Sequence, residues 1–362
     1  MNEQTEYLNN AVEGIFHQAL KASVKNPLES AFIAKFILSQ SKNAKKRRKA
    51  EESGHHIPPF LIASITSQCN LHCEGCYARA NNACGENFKQ EELTTEQWKQ
   101  IFREASELGI SFILLAGGEP LMRTDVLQQA SLFQNIIFPV FTNGTLFDQK
   151  AMGLFEFRRN LIPIFSMEGD SVQTDERRGE GISSLLNDTI EQMKRKGIFY
   201  GVSITVTSQN LQTVTSDDFI ASLSRRDCKL VLFVEYVPAQ ESTASLTLSG
   251  GEREQLAARQ KELKTAFGNM VFLSFPGDEK SAGGCLAAGR GFFHINAAGG
   301  AEPCPFSPFS DTSLKDHSLM EALQSPLFQK LQSANLLQAD HRGGCTLFDQ
   351  QDAVKNILSL QA

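Results

Sequence analysis

The chain has 362 residues, 41% hydrophobic and 21% charged, a composition that excludes disordered, collagen-like and coiled-coil classes. A formal net charge of −6 and a pI near 5.7 weigh against nucleic acid as an obligate partner. No apolar run reaches the ~18 residues of a membrane span. Met1-Asn2-Glu3 opens without a basic segment or apolar signal core, so a cytoplasmic chain with no transmembrane segment is expected. Eight cysteines in that compartment point to metal or redox chemistry rather than a disulfide framework.

Residues 1–55 read as helix. Leu8, Val12, Ile15, Phe16 and Leu20 recur at helical spacing. Asn26-Pro27 then has the form of an N-cap with proline at the first helical position. Lys42, Lys45, Lys46, Arg47, Arg48 and Lys49 follow as a basic run, expected to be a solvated helix end, and His55 and His56 read as linker. From residue 60, apolar runs at 60–65, 112–115, 136–140, 161–165, 202–206 and 230–237 alternate with helical stretches at 95–108, 184–196 and 216–224. Short, nearly unalternating strands separated by helices imply a parallel sheet covered on both faces. Six such units make a partial (β/α)6 barrel over residues 56–245, with a helical extension before it and a small α+β domain over 246–362.

Chemistry in parallel β/α barrels collects in the loops after the C-terminal ends of the strands. After the first run come Cys69, Cys73 and Cys76 in the spacing C-x3-C-x2-C. Three thiolates so placed can hold three irons of a four-iron cluster and leave the fourth without a protein ligand. A closed zinc site would pair two separated C-x2-C knuckles, and three inert core cysteines are the plainer alternative. The second run leads into Gly117-Gly118-Glu119-Pro120 and the fourth into Ser166-Met167-Glu168-Gly169-Asp170.

On this loop and glycine segment the sequence resembles the radical S-adenosylmethionine (radical SAM) superfamily. The resemblance implies that Cys69, Cys73 and Cys76 ligate a [4Fe–4S] cluster whose open iron is chelated by S-adenosylmethionine (SAM). It places Gly117, Gly118, Glu119 and Pro120 on the methionine moiety, with Glu119 and nearby main chain on the ammonium and the glycine pair admitting ligand to the backbone. Residues 166–170 and 175–179 resemble the S-x-D-G … H-D-x-x-R-G stretch of peptide-modifying members. That alignment puts Ser166 and Arg178 on SAM, the arginine through its planar fork. Glu168 stands where the pattern has Asp, and Thr174 where it has His.

Beyond residue 245 a helix at 252–267 and a run at 271–275 precede a hairpin pattern between Cys285 and Cys304, and His341-Arg342-Gly343-Gly344-Cys345 follows. This segment resembles the SPASM/twitch extensions of radical SAM enzymes, which hold auxiliary iron–sulfur clusters. The full C-x2-C pair is absent and His341 replaces the first cysteine of the ending. Cys285, Cys304 and Cys345 therefore imply one auxiliary cluster, of [4Fe–4S] type, one protein ligand short. His341 is a candidate for that ligand, against the reading of a solvent-exposed histidine. Cys84 is a weak candidate for hydrogen-atom donation to a substrate radical, for a cluster ligand, or for a structural thiol. Cys228 reads as inert.

The implied reaction is reductive cleavage of SAM to a 5′-deoxyadenosyl radical that abstracts hydrogen from a peptide or protein substrate. The electron would come from a donor such as flavodoxin or ferredoxin. A small-molecule or cofactor-pathway substrate is the alternative, and an iron–sulfur electron carrier or redox sensor is the different class of reading.

Overall fold

The computed structural model describes residues 3–239, 241–276, 283–337 and 345–359. Its strands are β1 (Phe60–Ser64), β2 (Phe112–Ala116), β3 (Phe138–Thr142), β4 (Leu161–Met167), β5 (Gly201–Val206), β6 (Leu230–Glu235), β7 (Val271–Phe275), β8 (His294–Ile295) and β9 (Ala301–Glu302). They form one curled sheet in the order β7-β6-β5-β4-β3-β2-β1-β8-β9. The expected parallel β/α architecture is present, and it extends further than the six runs. β7 pairs in parallel along β6, and the β8–β9 hairpin lays β8 parallel against β1 through Ile62↔His294. The C-terminal third of the chain thus supplies both edges of the sheet.

Local signals place the helices between strands. The helix Thr95–Leu108 carries a capping box between Thr94 and Gln97, and Ser216 caps Asp217–Arg225. Gly197 closes Ile182–Lys196 in the left-handed conformation. The helix-covered face of the sheet (Leu61, Ala63, Ile113, Leu115, Val140, Phe165, Val202, Ile204, Val231, Phe233) is wholly buried. The alternate positions Leu114, Ala116, Phe141, Ser166, Ser203, Thr205, Leu232 and Val234 are half-buried and line the inner face. Both faces are mostly apolar, which is why the runs do not alternate in sequence although they alternate in burial.

The N-terminal helices α1 (Glu3–Ala22) and α2 (Pro27–Glu52) cover the bottom of the sheet, at the N-terminal ends of the strands. Val12, Phe16 and Phe36 pack on Phe112 and Ile162, the rings of Phe16 and Phe112 stacking at 4.9 Å. Polar anchors then tie α2 to the loops entering β2 to β5. Asn26 Nδ2 donates to the Gly197 carbonyl at 2.6 Å, Asn43 Nδ2 to that of Asn135 at 2.9 Å, and Glu29 pairs with Arg159. His56 is an anchor rather than linker, its ring bonded to Glu51 at 2.9 Å and to the Arg290 carbonyl at 2.8 Å.

Arg47 departs from the solvated basic run. It is 2% exposed and donates to the Gly109 carbonyl, to Ser111 Oγ at 2.9 Å and to Asn9 Oδ1 at 2.5 Å. Burial without a carboxylate partner pulls its pKa down to about 10. Arg47→Met, which leaves those acceptors unmet, is expected to lower unfolding stability by about 2 kcal/mol, read from the urea midpoint.

Candidate functional site

Loops from the C-terminal ends of β1 to β6 converge on one mouth. Cys69, Cys73 and Cys76 lie in the first of them, free and half-buried, and Cys76 stands at the N-cap of the short helix Tyr77–Ala80. The loop is fixed by main-chain contact with the segment after β2. Gly118 N donates to the Thr66 carbonyl at 2.8 Å and Glu119 N to that of Gln68 at 2.7 Å. A Cβ on Gly118 would stand 1.9 Å from the Gln68 oxygen, and one on Gly117, whose φ is +127°, 2.3 Å from that of Thr66. The glycine pair therefore makes room for the cysteine loop itself. Gly118→Ala is expected to displace Cys69 and sharply lower iron uptake on reconstitution, measured as iron per chain. Gly153→Ala, with nothing within 4 Å of the new Cβ, should leave uptake unchanged.

Glu119 is turned inward. Its Oε1 accepts from Leu121 N at 3.0 Å and Thr142 Oγ1 at 2.7 Å, and its Oε2 from Asn143 N at 2.8 Å. Burial raises its carboxyl pKa to about 7 against the lowering effect of those bonds. The carboxylate is a brace between the loops after β2 and β3. Asn143 carries the brace onward, donating to Asn70 Oδ1 at 2.9 Å beside Cys69. Pro120 opens the 3-10 turn that Glu119 caps. Glu92, which no motif flags, holds the start of the cysteine loop by accepting from Ser67 N and Oγ, both at 2.7 Å, while Arg123 pairs with it at 3.3 Å.

A second support comes from the helix Ser171–Arg178 after β4. Glu168, 2% exposed, takes the Nε and Nη2 fork of Arg178 on Oε1 at 2.9 and 2.5 Å. Its Oε2 lies 2.7 Å from Arg177 Nη1, out of line for a hydrogen bond but a close ion pair. Arg178 Nη1 then reaches 4.0 Å from Cys73 Sγ. Burial pushes the Cys73 thiol up and the Arg178 charge opposes it. Arg177 donates to the Glu74 carbonyl at 3.1 Å, receives Glu74 N on its own carbonyl at 2.9 Å, and lies 5.9 Å over the Tyr236 ring. The two departures from the family pattern meet here, since Thr174 Oγ1 accepts from Glu168 N at 3.2 Å. Ser166 lies on the inner face of β4, opposite Ser203.

Cys84 is buried against Cys69, and their thiol contact holds Cys69 low and Cys84 high in pKa. Cys228 lies far from the mouth, pushed up to about 12 by burial. Cys285, Cys304 and Cys345 line one apolar cavity with Val237, Phe275, Pro276, Phe292 and Phe306. Burial raises the Cys304 thiol, aided by its contact with Cys345. Phe306 meets Tyr77 of the first loop at 4.8 Å between ring centroids, so the two cysteine groups share an aromatic wall. His341 lies outside the described residues. Among those residues, no three His, Cys, Asp or Glu side chains are gathered as a single metal ion requires. Thiols at the corners of a cluster stand further apart than thiols around one tetrahedral ion, and a donor set of thiols alone, with Arg178 beside it, suits iron–sulfur chemistry.

The family model of the Radical SAM superfamily matches residues 63–218. Over that span the chain resembles a radical SAM domain, and it is an enzyme. The family implies SAM and a [4Fe–4S] cluster. Cys69, Cys73, Cys76, the Gly117–Pro120 segment, Ser166 and Arg178 all fall within the matched span, and Cys285, Cys304 and Cys345 fall outside it. Fe-coproporphyrin III synthase of Methanosarcina barkeri is 31% identical over 160 residues, 43% of this chain but 39% of that protein. AdoMet-dependent heme synthase of the same organism is 25% identical over 309 residues, 77% of this chain and 86% of that protein. The crystal structure of Streptococcus suis SuiB bound to precursor peptide SuiA has the same fold. It superposes with a TM-score of 0.64 at 17% identity, covering 84% of this chain and 76% of SuiB. None of the described helices is long and apolar enough to cross a membrane.

Proposed function

We propose that this radical SAM enzyme holds a [4Fe–4S] cluster on Cys69, Cys73 and Cys76 and acts on a peptide or protein substrate seated against the inner face of the sheet. When bound, the cluster and SAM supply reductive cleavage of SAM to a 5′-deoxyadenosyl radical that abstracts hydrogen from that substrate. The main chain at Gly117–Pro120, Ser166 and the Nη1 edge of Arg178 form the SAM side of the mouth, while Glu119 and Glu168 position them. Cys285, Cys304 and Cys345 hold one auxiliary iron–sulfur cluster in a twitch-like arrangement, and flavodoxin or ferredoxin serves as electron donor. The cytoplasm is the compartment where these thiols stay reduced.

The observation that carries the reading is the three-thiol loop, held by Gly118 and by the Glu168–Arg178 pair, at the mouth of a partly accessible inner face. That face offers the hydroxyls of Ser166, Ser203 and Thr205 beside Phe141, Leu232 and Val234. Such a wall suits an uncharged chain segment of mixed polarity, in keeping with the precursor peptide that SuiB binds. A second reading is a tetrapyrrole substrate, favoured by the likeness to heme synthase over most of both chains. Anaerobic reconstitution followed by SAM and dithionite should yield 5′-deoxyadenosine. If added Fe-coproporphyrin III is then turned over to heme, the peptide reading falls. If 5′-deoxyadenosine never forms in fully loaded protein, the electron-carrier reading replaces both.

A further inference from the structure

The basic run of α2 has no part in the mouth. Lys35, Lys42, Lys45, Lys46, Arg48 and Lys49 are all exposed, and no acidic residue lies between positions 30 and 50 of a chain whose net charge is −6. Lys35, Lys42, Lys45 and Lys49 recur at helical spacing with Leu28, Ala31 and Leu38, so they share one outward stripe. Leu28 and Leu38 on that stripe are 66% and 73% exposed, and Val24 in the preceding turn is 71% exposed. The ion pair between Glu29 and Arg159 sets a further exposed ring, Phe157, by the same end of the helix.

We propose that the outer face of α2 is a docking surface for an anionic lipid bilayer. Cations alone would suit any polyanion, but leucines standing out among them suit a partner with an acyl layer beneath its charges. An electron-carrier protein is the poorer occupant. α2 covers the N-terminal ends of the strands, and a five-residue strand puts about 16 Å between that end and the cysteine loop. Docking through α2 leaves the barrel mouth facing away from the bilayer and open to substrate.

Co-flotation of the full chain with unilamellar vesicles tests this. Binding is expected to vesicles containing about 30% phosphatidylglycerol, to weaken with salt, and to be absent on pure phosphatidylcholine. Lys35→Glu/Lys42→Glu/Lys45→Glu should lower the bound fraction at least ~tenfold. In Leu38→Trp the new indole should shift to the blue on anionic vesicles, against the constant signal of Trp98, which is 0% exposed. These positions are exposed, so thermal melts of the variants should match the parent. Failure to float on anionic vesicles overturns the proposal. So does an unshifted Leu38→Trp emission in bound protein together with equal retention on heparin, which would mark a general polyanion face.

Discussion

Cys76→Ala protein reconstituted without oxygen is expected to lose about half its iron and to form less than ~1% of the parent's 5′-deoxyadenosine. With both cysteine groups loaded the parent should carry about eight irons and eight sulfides per chain. Cys76 closes the loop, standing at the N-cap of Tyr77–Ala80, and without it two thiols remain for a cluster that needs three. Cys304→Ala provides the contrast, since it should shed a similar share of iron yet still cleave SAM. Equal loss of 5′-deoxyadenosine in both variants would mean that the groups are not separable. Zinc in place of iron would overturn the assignment for both.

Much of this was legible in the sequence for a physical reason. A parallel sheet covered on both faces needs unbroken apolar runs, and a chelating loop needs its thiols close together in the chain, so both write themselves locally. Asn26-Pro27 is likewise a short-range signal and marks a helix start where expected, and Thr94 with Gln97 and Gly197 mark helix ends by signals of the same short range. What stayed hidden depends on partners far apart in sequence. The hairpin pattern between Cys285 and Cys304 is there as β8 and β9, but nothing in strands of two residues each shows that they extend the sheet across β1. Their register sets His294 Nε2 2.8 Å from Ser64 Oγ and His294 Nδ1 2.7 Å from Glu302, a buried chain of three polar groups that no motif announced. Arg47 reads as one more cation of the basic run because Gly109, Ser111 and Asn9, which surround it, lie far from it in the chain. The resemblance places Glu119 on the ligand, whereas its carboxylate is taken up by protein donors. The donors it accepts from, Thr142 Oγ1 and Asn143 N, stand at the end of β3 and the start of the loop after it, 23 and 24 positions away.

Glu168→Ala is expected to destabilise the fold by about 3–5 kcal/mol, among the largest losses for a single side chain outside the cysteine groups. The carboxylate is 2% exposed and serves two guanidiniums, so its removal leaves Arg178 and Arg177 charged and partly buried with no counter-ion. The damage should not stop at stability. Arg177 is joined to Glu74, between Cys73 and Cys76, by hydrogen bonds in both directions, and Arg178 stands at 4.0 Å from Cys73 Sγ. Loss of the anion therefore frees the cysteine loop on the side away from Gly118, and iron uptake should fall together with the urea midpoint. Glu168→Asp keeps the charge but shortens the arm that spans both arginines, so it should fall between parent and alanine variant. A double-mutant cycle of Glu168→Ala with Arg178→Ala separates the causes. Coupling of about 1–3 kcal/mol is expected if the carboxylate acts through the arginine. Additive losses would mean that the carboxylate acts independently of Arg178, through its ion pair with Arg177.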